Sequence, residues 1–389
     1  MTSARSGSAP WRCVPGWPPE PCESRRYRSG VTPDPRLGWT DRLAECWELI
    51  GHPSAHGTPG RVARIDRGWS TVLRSRDDDE GIRVRNIGAG VAVGDWVVVD
   101  AAGERIEHVL ERSSAFTRRA SHEGDRAVPD VLAANIDVVF LVHALTAPPN
   151  QRRLERELVL AFDSGAAPAV VLTKIDVAEE PDAVVAELSA VAPGVPVLVV
   201  SGVTGEGVDE IGRRASDGST LALLGASGVG KSTIVNALLG DEVMATGAVR
   251  DGDQRGRHTT VATRLLPVPG DGWLIDTPGF RAVSLWLSGR GIERAFSDVF
   301  DLMDGCRFRD CKHDREPGCA VREAIDSGAL DPARFASLER LVAEEAAVEA
   351  EQERRLRIAD RRRHGRPAPE HDEESDAPEP DSTGSGDSD

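Results

Sequence analysis

At 389 residues the chain is long enough for two or three domains with their own cores, and its 29% charged and 40% apolar content is that of a globular protein. No apolar run approaches the ~18 residues that cross a bilayer, and the first thirty residues carry Arg but no continuous apolar stretch of a secretory leader. A cytoplasmic protein with no membrane partner is expected, as a monomer.

The net charge of −17 weighs against a nucleic-acid partner only if it is evenly spread. Residues 366–389 hold nine Asp/Glu and one Arg, so removing their net −8 leaves −9, and residues 354–366 hold seven Arg. A basic patch can coexist with an acidic total. Six Cys are too few for a disulfide scaffold: Cys13, Cys22 and Cys46 are scattered, whereas Cys306, Cys311 and Cys319 cluster. Of 47 basic residues only three are Lys, at 174, 231 and 312.

Residues 1–40, rich in Pro, Gly, Ser and Arg, read as a disordered extension. A short amphipathic helix is expected over 41–51. From Gly57 to about Arg112, short β-rich runs ("RVARIDRGWSTVLRS", "GIRVRN", "VAVGDWVVVD", "RIEHVLE") alternate with Gly and Asp turns. Four or five such strands suggest a small closed barrel over 41–118; an OB-fold and an SH3-type barrel both fit the pattern.

From Ala134 the texture changes. Apolar runs at 136–144, 168–174, 195–201, 219–225 and 273–279 alternate with helical segments at 151–165, 181–192, about 207–215 and from Lys231 onward. Strands buried on both faces, separated by helices, predict a doubly wound α/β domain over 128–289. Residues 290–365 hold the Cys cluster and a helix opened by Asp331-Pro332, an N-cap followed by Pro in the first turn. The acidic tail, 366–389, reads as disordered.

The segment "GASGVGKST", Gly225-Ala226-Ser227-Gly228-Val229-Gly230-Lys231-Ser232-Thr233, follows a strand and opens a helix. It fits the loop whose backbone amides, helix N-terminus and one Lys hold nucleotide phosphates. Lys231 would neutralise β/γ charge and Ser232 would bind Mg²⁺. "DTPG" (276–279) ends a strand about 50 residues later and offers Asp276 to Mg²⁺ and the Gly279 amide to the γ-phosphate. In "TKID" (173–176), the Asp176 carboxylate can accept from the two N–H donors on guanine's Watson–Crick edge, a pattern adenine lacks. Lys174 would lie along the base; Thr173 begins the motif, and Ser201-Gly202 would support the base from the other side. Between loop and "DTPG", Thr259 and Thr260 of "GRHTT" are candidates to close on Mg²⁺.

These parts come in rotated order, since TKID lies 52 residues before the loop. In a doubly wound sheet the ligand binds at the carboxyl ends of the strands whichever comes first. A circular permutation therefore leaves the site intact.

Cys306, Cys311, His313 and Cys319 offer three thiolates and one imidazole, a closed tetrahedral set suited to one structural Zn²⁺. Arg307, Arg309, Lys312 and Arg315 decorate that loop, as a phosphate-facing surface would.

The permuted order, the flanking barrel, "GRHTT" and the C-x4-C-x-H-x5-C cluster together resemble the ribosome small-subunit-dependent GTPase A (RsgA/YjeQ) family over roughly residues 57–325. The resemblance implies a circularly permuted P-loop GTPase domain with an N-terminal OB-fold and a C-terminal zinc-binding helical domain. It implies a GTPase assisting late maturation of the small ribosomal subunit, with that subunit, its rRNA and other assembly factors as partners. Where a GTPase often has a water-orienting Gln, after the Gly of "DTPG", this chain has Phe280, so slow hydrolysis by the isolated protein is expected, with His258 as the candidate catalytic group once a partner is bound. A signalling-type GTPase with a protein partner is the alternative.

Overall fold

Alternating Val, Leu and Ile runs bury both faces of a strand, and five of them lie side by side in the computed structural model of the protein. The structure describes residues 33–50, 57–86, 90–118, 130–146, 148, 150–240, 263–276 and 289–364. The first of its two compact units spans residues 1–345. In it β8 (Val138–Ala144), β9 (Ala167–Thr173), β10 (Val197–Val200), β11 (Thr220–Gly225) and β13 (Gly272–Asp276) form a parallel sheet in the order β10-β9-β8-β11-β13. β12 (Arg264–Val268) pairs antiparallel with β13 and extends it.

Helices complete the winding. α2 (Gln151–Ser164) joins β8 to β9, α3 (Pro181–Val191) joins β9 to β10, and α4 (Val208–Arg213) joins β10 to β11; α5 (Lys231–Leu239) follows β11. β8, β9 and β11 are almost wholly buried, as strands covered on both faces must be.

Five strands precede this sheet: β1 (Thr58–Asp66), β2 (Trp69–Leu73), β3 (Ile82–Arg85), β4 (Trp96–Val99) and β5 (Ile106–Val109). β1 pairs with β2 and β4, β2 with β3, and β4 with β5. A parallel bridge between Arg85 and Arg105 closes the ring in the order β1-β2-β3-β5-β4. That ring is an OB topology, which settles the barrel type the strand pattern left open. Val62, Val72, Val84, Val97, Val99 and Ile106, at least one from each strand, fill its interior.

The barrel is not a separate bead. α1 (Asp41–Leu49), capped by the Thr40 hydroxyl, and the outer barrel residues Ala63, Leu73, Trp96 and Val98 share one apolar core with the parallel sheet. The seam between them carries Arg61, which is buried and donates to the carbonyls of Leu37 and Asn135 and to Thr220 Oγ1 at 2.6 Å. Burial lowers its pKa to about 10, against the pull of Asp137 and Asp95. The Asp137 carboxylate accepts from the Thr220 amide at 2.7 Å.

A two-stranded sheet, β6 (Ala115–Arg118) with β7 (Asp130–Ala134), lies between barrel and parallel sheet in sequence. After β13 come α6 (Gly289–Ala295), α7 (Ser297–Met303), α8 (Ala320–Asp326) and α9 (Pro332–His364), the last opened by Asp331, whose side chain accepts from the Ala333 amide. Buried Arg334 ties them to α2. It bridges Asp298 at 2.9 Å and Glu155 at 3.4 Å, donates to the Ala295 carbonyl and stacks on Phe296. The second unit, residues 346–389, is described only as helix to His364, with Arg354–Glu351 and Arg357–Glu353 pairs along it.

Arg61→Ala leaves the seam carbonyls of Leu37 and Asn135 without their donor, so denaturant unfolding should show a loss of about 1–3 kcal/mol.

Candidate functional site

The carboxyl ends of the parallel strands lie level. Ala144 pairs with Thr173, Thr173 with Val200, and Gly225 with Val142. Gly225 opens the loop to α5 so close to β8 that an added Cβ would meet the Val142 carbonyl at 2.4 Å. Gly230, at φ 103°, turns the chain into the helix in the left-handed region that Gly enters freely. The first-turn amides of α5, at Ser232 and Thr233, face out of the helix N-terminus and suit an anion. Lys231 Nζ donates to the carbonyls of Gly225 at 2.8 Å and Ala226 at 2.5 Å, so its ammonium rests inside the curve of the loop. Ser227 and Gly228 are exposed at its tip, and Ala226 and Val229 are half-buried.

The TKID segment meets this loop. Thr173, the last residue of β9, is buried, and its hydroxyl donates to the Val229 carbonyl, with the His143 carbonyl at 3.3 Å. Thr173 thus acts as a tie between TKID and the phosphate loop. Lys174 adopts φ 65°, ψ 36°, uncommon for a residue with a Cβ, and leads into a 3₁₀ turn at Ile175–Val177 that leaves Asp176 exposed.

Ser201 is fully buried, and its hydroxyl accepts from the amides of Val203 and Thr204, shaping the turn. Gly202 packs on the first turn of α5, where a Cβ would come within 3.0 Å of Thr233 C and Ile234 N. Asp276 closes β13 directly opposite Arg264 of β12. Burial raises its pKa, and Arg264 partly offsets the rise. Gly279, His258, Thr259, Thr260 and Phe280 lie outside the described residues.

Behind the site is a feature that sequence reading passed over. His143 Nε2 lies 2.9 Å from Glu157 Oε2, and Glu157 Oε1 accepts from Arg153 Nε at 2.7 Å, which pins α2 to the carboxyl end of β8. The clue was a His inside a strand that is otherwise buried and apolar.

In the Cys cluster the four ligand atoms of Cys306, Cys311, His313 and Cys319 lie within 4.8 Å of one another. His313 Nδ1 is 3.6 Å from Cys306 Sγ and 3.4 Å from Cys319 Sγ, and the two sulfurs are 3.9 Å apart. A tetrahedron of ~2.3 Å metal–sulfur bonds has edges of roughly 3.7 Å. The donor set therefore fits a metal ion. Burial pushes the Cys306 thiol up, but amides of Val321 and Ala320 outweigh it and hold the group below its usual range. Burial and the neighbouring thiols push Cys311 up to about 11. The His313 ring packs edge-on against Phe335 of α9 at 5.8 Å, so the knuckle buttresses that helix. Arg307, Arg309, Lys312 and Arg315 all stand exposed around it.

Residues 109–286 match the family model described as RsgA GTPase. A Streptomyces coelicolor protein named small ribosomal subunit biogenesis GTPase RsgA is 42% identical over 339 residues, 85% of this chain and 91% of its own. A protein of the same name from Syntrophotalea carbinolica is 37% identical over 343 residues, covering 84% and 94%. Among solved structures, YjeQ from Thermotoga maritima aligns at a TM-score of 0.56 with 27% identity, over 75% of this chain and 99% of its own. YloQ, described as a circularly permuted GTPase, shares the fold at a TM-score of 0.54 and 22% identity, covering 76% and 97%.

Thr173→Val keeps the volume but leaves the half-buried Val229 carbonyl without its hydroxyl donor. Guanine-nucleotide affinity measured by calorimetry should fall by about ten-fold.

Proposed function

The chain belongs to the RsgA GTPase family, and on that premise we propose that it binds the small ribosomal subunit and its rRNA late in maturation, hydrolysing GTP slowly until that subunit is present. It is a GTP hydrolase by family. The observation that carries the reading of the site is the tie from Thr173 to Val229, because it brings a guanine reader and a phosphate cradle to one mouth.

The roles follow from that arrangement. Asp176 accepts from the guanine edge, with Lys174 along the ring and the Ser201-Gly202 turn on the far side. The amides of 225–233 receive the phosphates. The Lys231 ammonium, now on two loop carbonyls, turns to β- and γ-phosphate oxygens, whose charge makes the stronger hydrogen bonds. Ser232 and Asp276, with Thr259 or Thr260, would hold Mg²⁺, which neutralises charge developing on the transferred phosphoryl group. His258 would orient the attacking water once the subunit is bound, which Phe280 cannot do.

Zinc suits the Cys cluster: three thiolates and one imidazole saturate a tetrahedron and leave no position for water, so its role is structural. The knuckle would then present its four exposed cations to RNA phosphate. On the barrel, half-buried Trp69 lies under Arg83 and Arg85, at 5.0 and 5.7 Å, a platform on which an unpaired base can stack. Both surfaces favour RNA over the protein partner of a signalling GTPase, and the relatives compared carry the ribosomal name. Among the described residues no helix is long and apolar enough to cross a membrane. A cytoplasmic setting accords with the proposed work.

GTP turnover should be slow for the protein alone and rise about a hundred-fold or more with purified small subunits, the size of one added transition-state contact. Raised salt should erase the rise, because phosphate contacts release counterions. Equal rates with and without subunits would refute the ribosomal reading.

A further inference from the structure

The β12–β13 hairpin lies in sequence between the candidate Mg²⁺ threonines and "DTPG", and it ends on Asp276. The barrel grips it at both ends. At the turn, Val268 and Gly272 form the closing pair of the hairpin. Arg76, from the loop after β2, donates to both of their carbonyls, to Gly272 at 2.6 Å and Val268 at 2.7 Å. Its guanidinium lies 4.3 Å over the ring of Trp273, whose indole N–H donates to the Arg36 carbonyl at 2.7 Å. Asp34 in turn accepts from the Arg76 amide at 2.8 Å, which fixes the loop that carries the clamp.

At the open end the grip is a ladder. Thr71 of β2 pairs with Arg64 of β1, Arg64 with Arg264 of β12, and Arg264 with Asp276 of β13. One row of residues thus crosses from the barrel to the carboxylate at the nucleotide end. Arg64 and Arg264 are like charges placed directly opposite, which weakens that rung. The join is held at the turn by Arg76, four residues or roughly 13 Å along the strand from Asp276.

Neither the hairpin nor the barrel can then shift without the other. We propose that the hairpin is the strap through which the barrel and the nucleotide site report on each other, and that Arg76 is the positioning residue that transmits the coupling. The proposal rests on the reading that GTP and GDP occupy the site and deepens it by naming its regulation. Because coupling is reciprocal, a barrel docked on RNA would bias the hairpin just as bound nucleotide biases the barrel.

The test is hydrogen exchange on the full chain, loaded with GDP or with a non-hydrolysable GTP analogue, for wild type and Arg76→Lys. Lysine keeps the charge and the buried stem but cannot fork to two carbonyls and stack at once. In wild type, amides of 61–66 and of 264–268 should both change protection between the two nucleotides, by about five-fold or more. In R76K the difference at 61–66 should collapse while that at 264–268 and nucleotide affinity hold, with the protein still folded at the assay temperature. Protection at 61–66 that ignores the nucleotide in wild type, or responds equally in R76K, would overturn the proposal. Failure to bind either nucleotide would instead sink the reading of the site itself, and the coupling with it.

Discussion

One hydroxyl joins what chain order separates. Thr173 ends β9 and donates to Val229, in a loop 52 residues further along that begins at Gly225. Parallel strands make that contact possible, because each delivers its carboxyl end to the same edge whatever its place in the sequence. The packing of Gly202 on the first turn of α5 closes the other wall. Only the succession of the segments has been rotated; TKID, the Ser201-Gly202 turn and the loop at 225–233 still meet at one edge of the sheet.

The same sheet has been built outward on both sides. On the β12 side it runs into the barrel, through Arg64 opposite Arg264, with Arg61 buried along the seam. On the α2 side the C-terminal helices are held by Arg334, between Glu155 and Asp298. A buried cation of this kind is costly to desolvate and costlier to leave unpaired, which favours a single geometry over a range of them. One apolar core reaches from Trp47 of α1, through Leu172 of β9, to Leu341 of α9. The loop at 225–233, the barrel and the Cys/His knuckle are thus built on one continuous core.

What was legible in the sequence was what is local. The Gly-rich loop, TKID and the Cys/His spacing stand out because each is packed into a few consecutive residues. The five barrel strands and the parallel strands were readable from alternation and apolar runs. β12 escaped because Pro267 interrupts it; the strand tolerates that proline since β1 pairs with it only at Arg264, leaving an open edge further along. β6 ("AFTR") and β7 ("DVLAA") lack the strict alternation and the apolar run that marked the other strands. The links that decide how the parts cooperate were invisible for a different reason: Arg61 meets Thr220, and Arg76 meets Gly272, 159 and 196 residues away. No local pattern encodes such a distance. Thr173 was read as a variant of a base-contacting motif, whereas its side chain is turned to the loop.

The central claim is that Asp176 reads the base of the nucleotide whose phosphates sit in the loop at 225–233. The direct measurement is the affinity of Asp176→Asn for GTP and XTP beside that of the wild type. An asparagine reverses one donor–acceptor match at the purine edge, so the account predicts that preference passes from guanine to xanthine while total binding through the loop persists. Undiminished selectivity for GTP in that variant would contradict it.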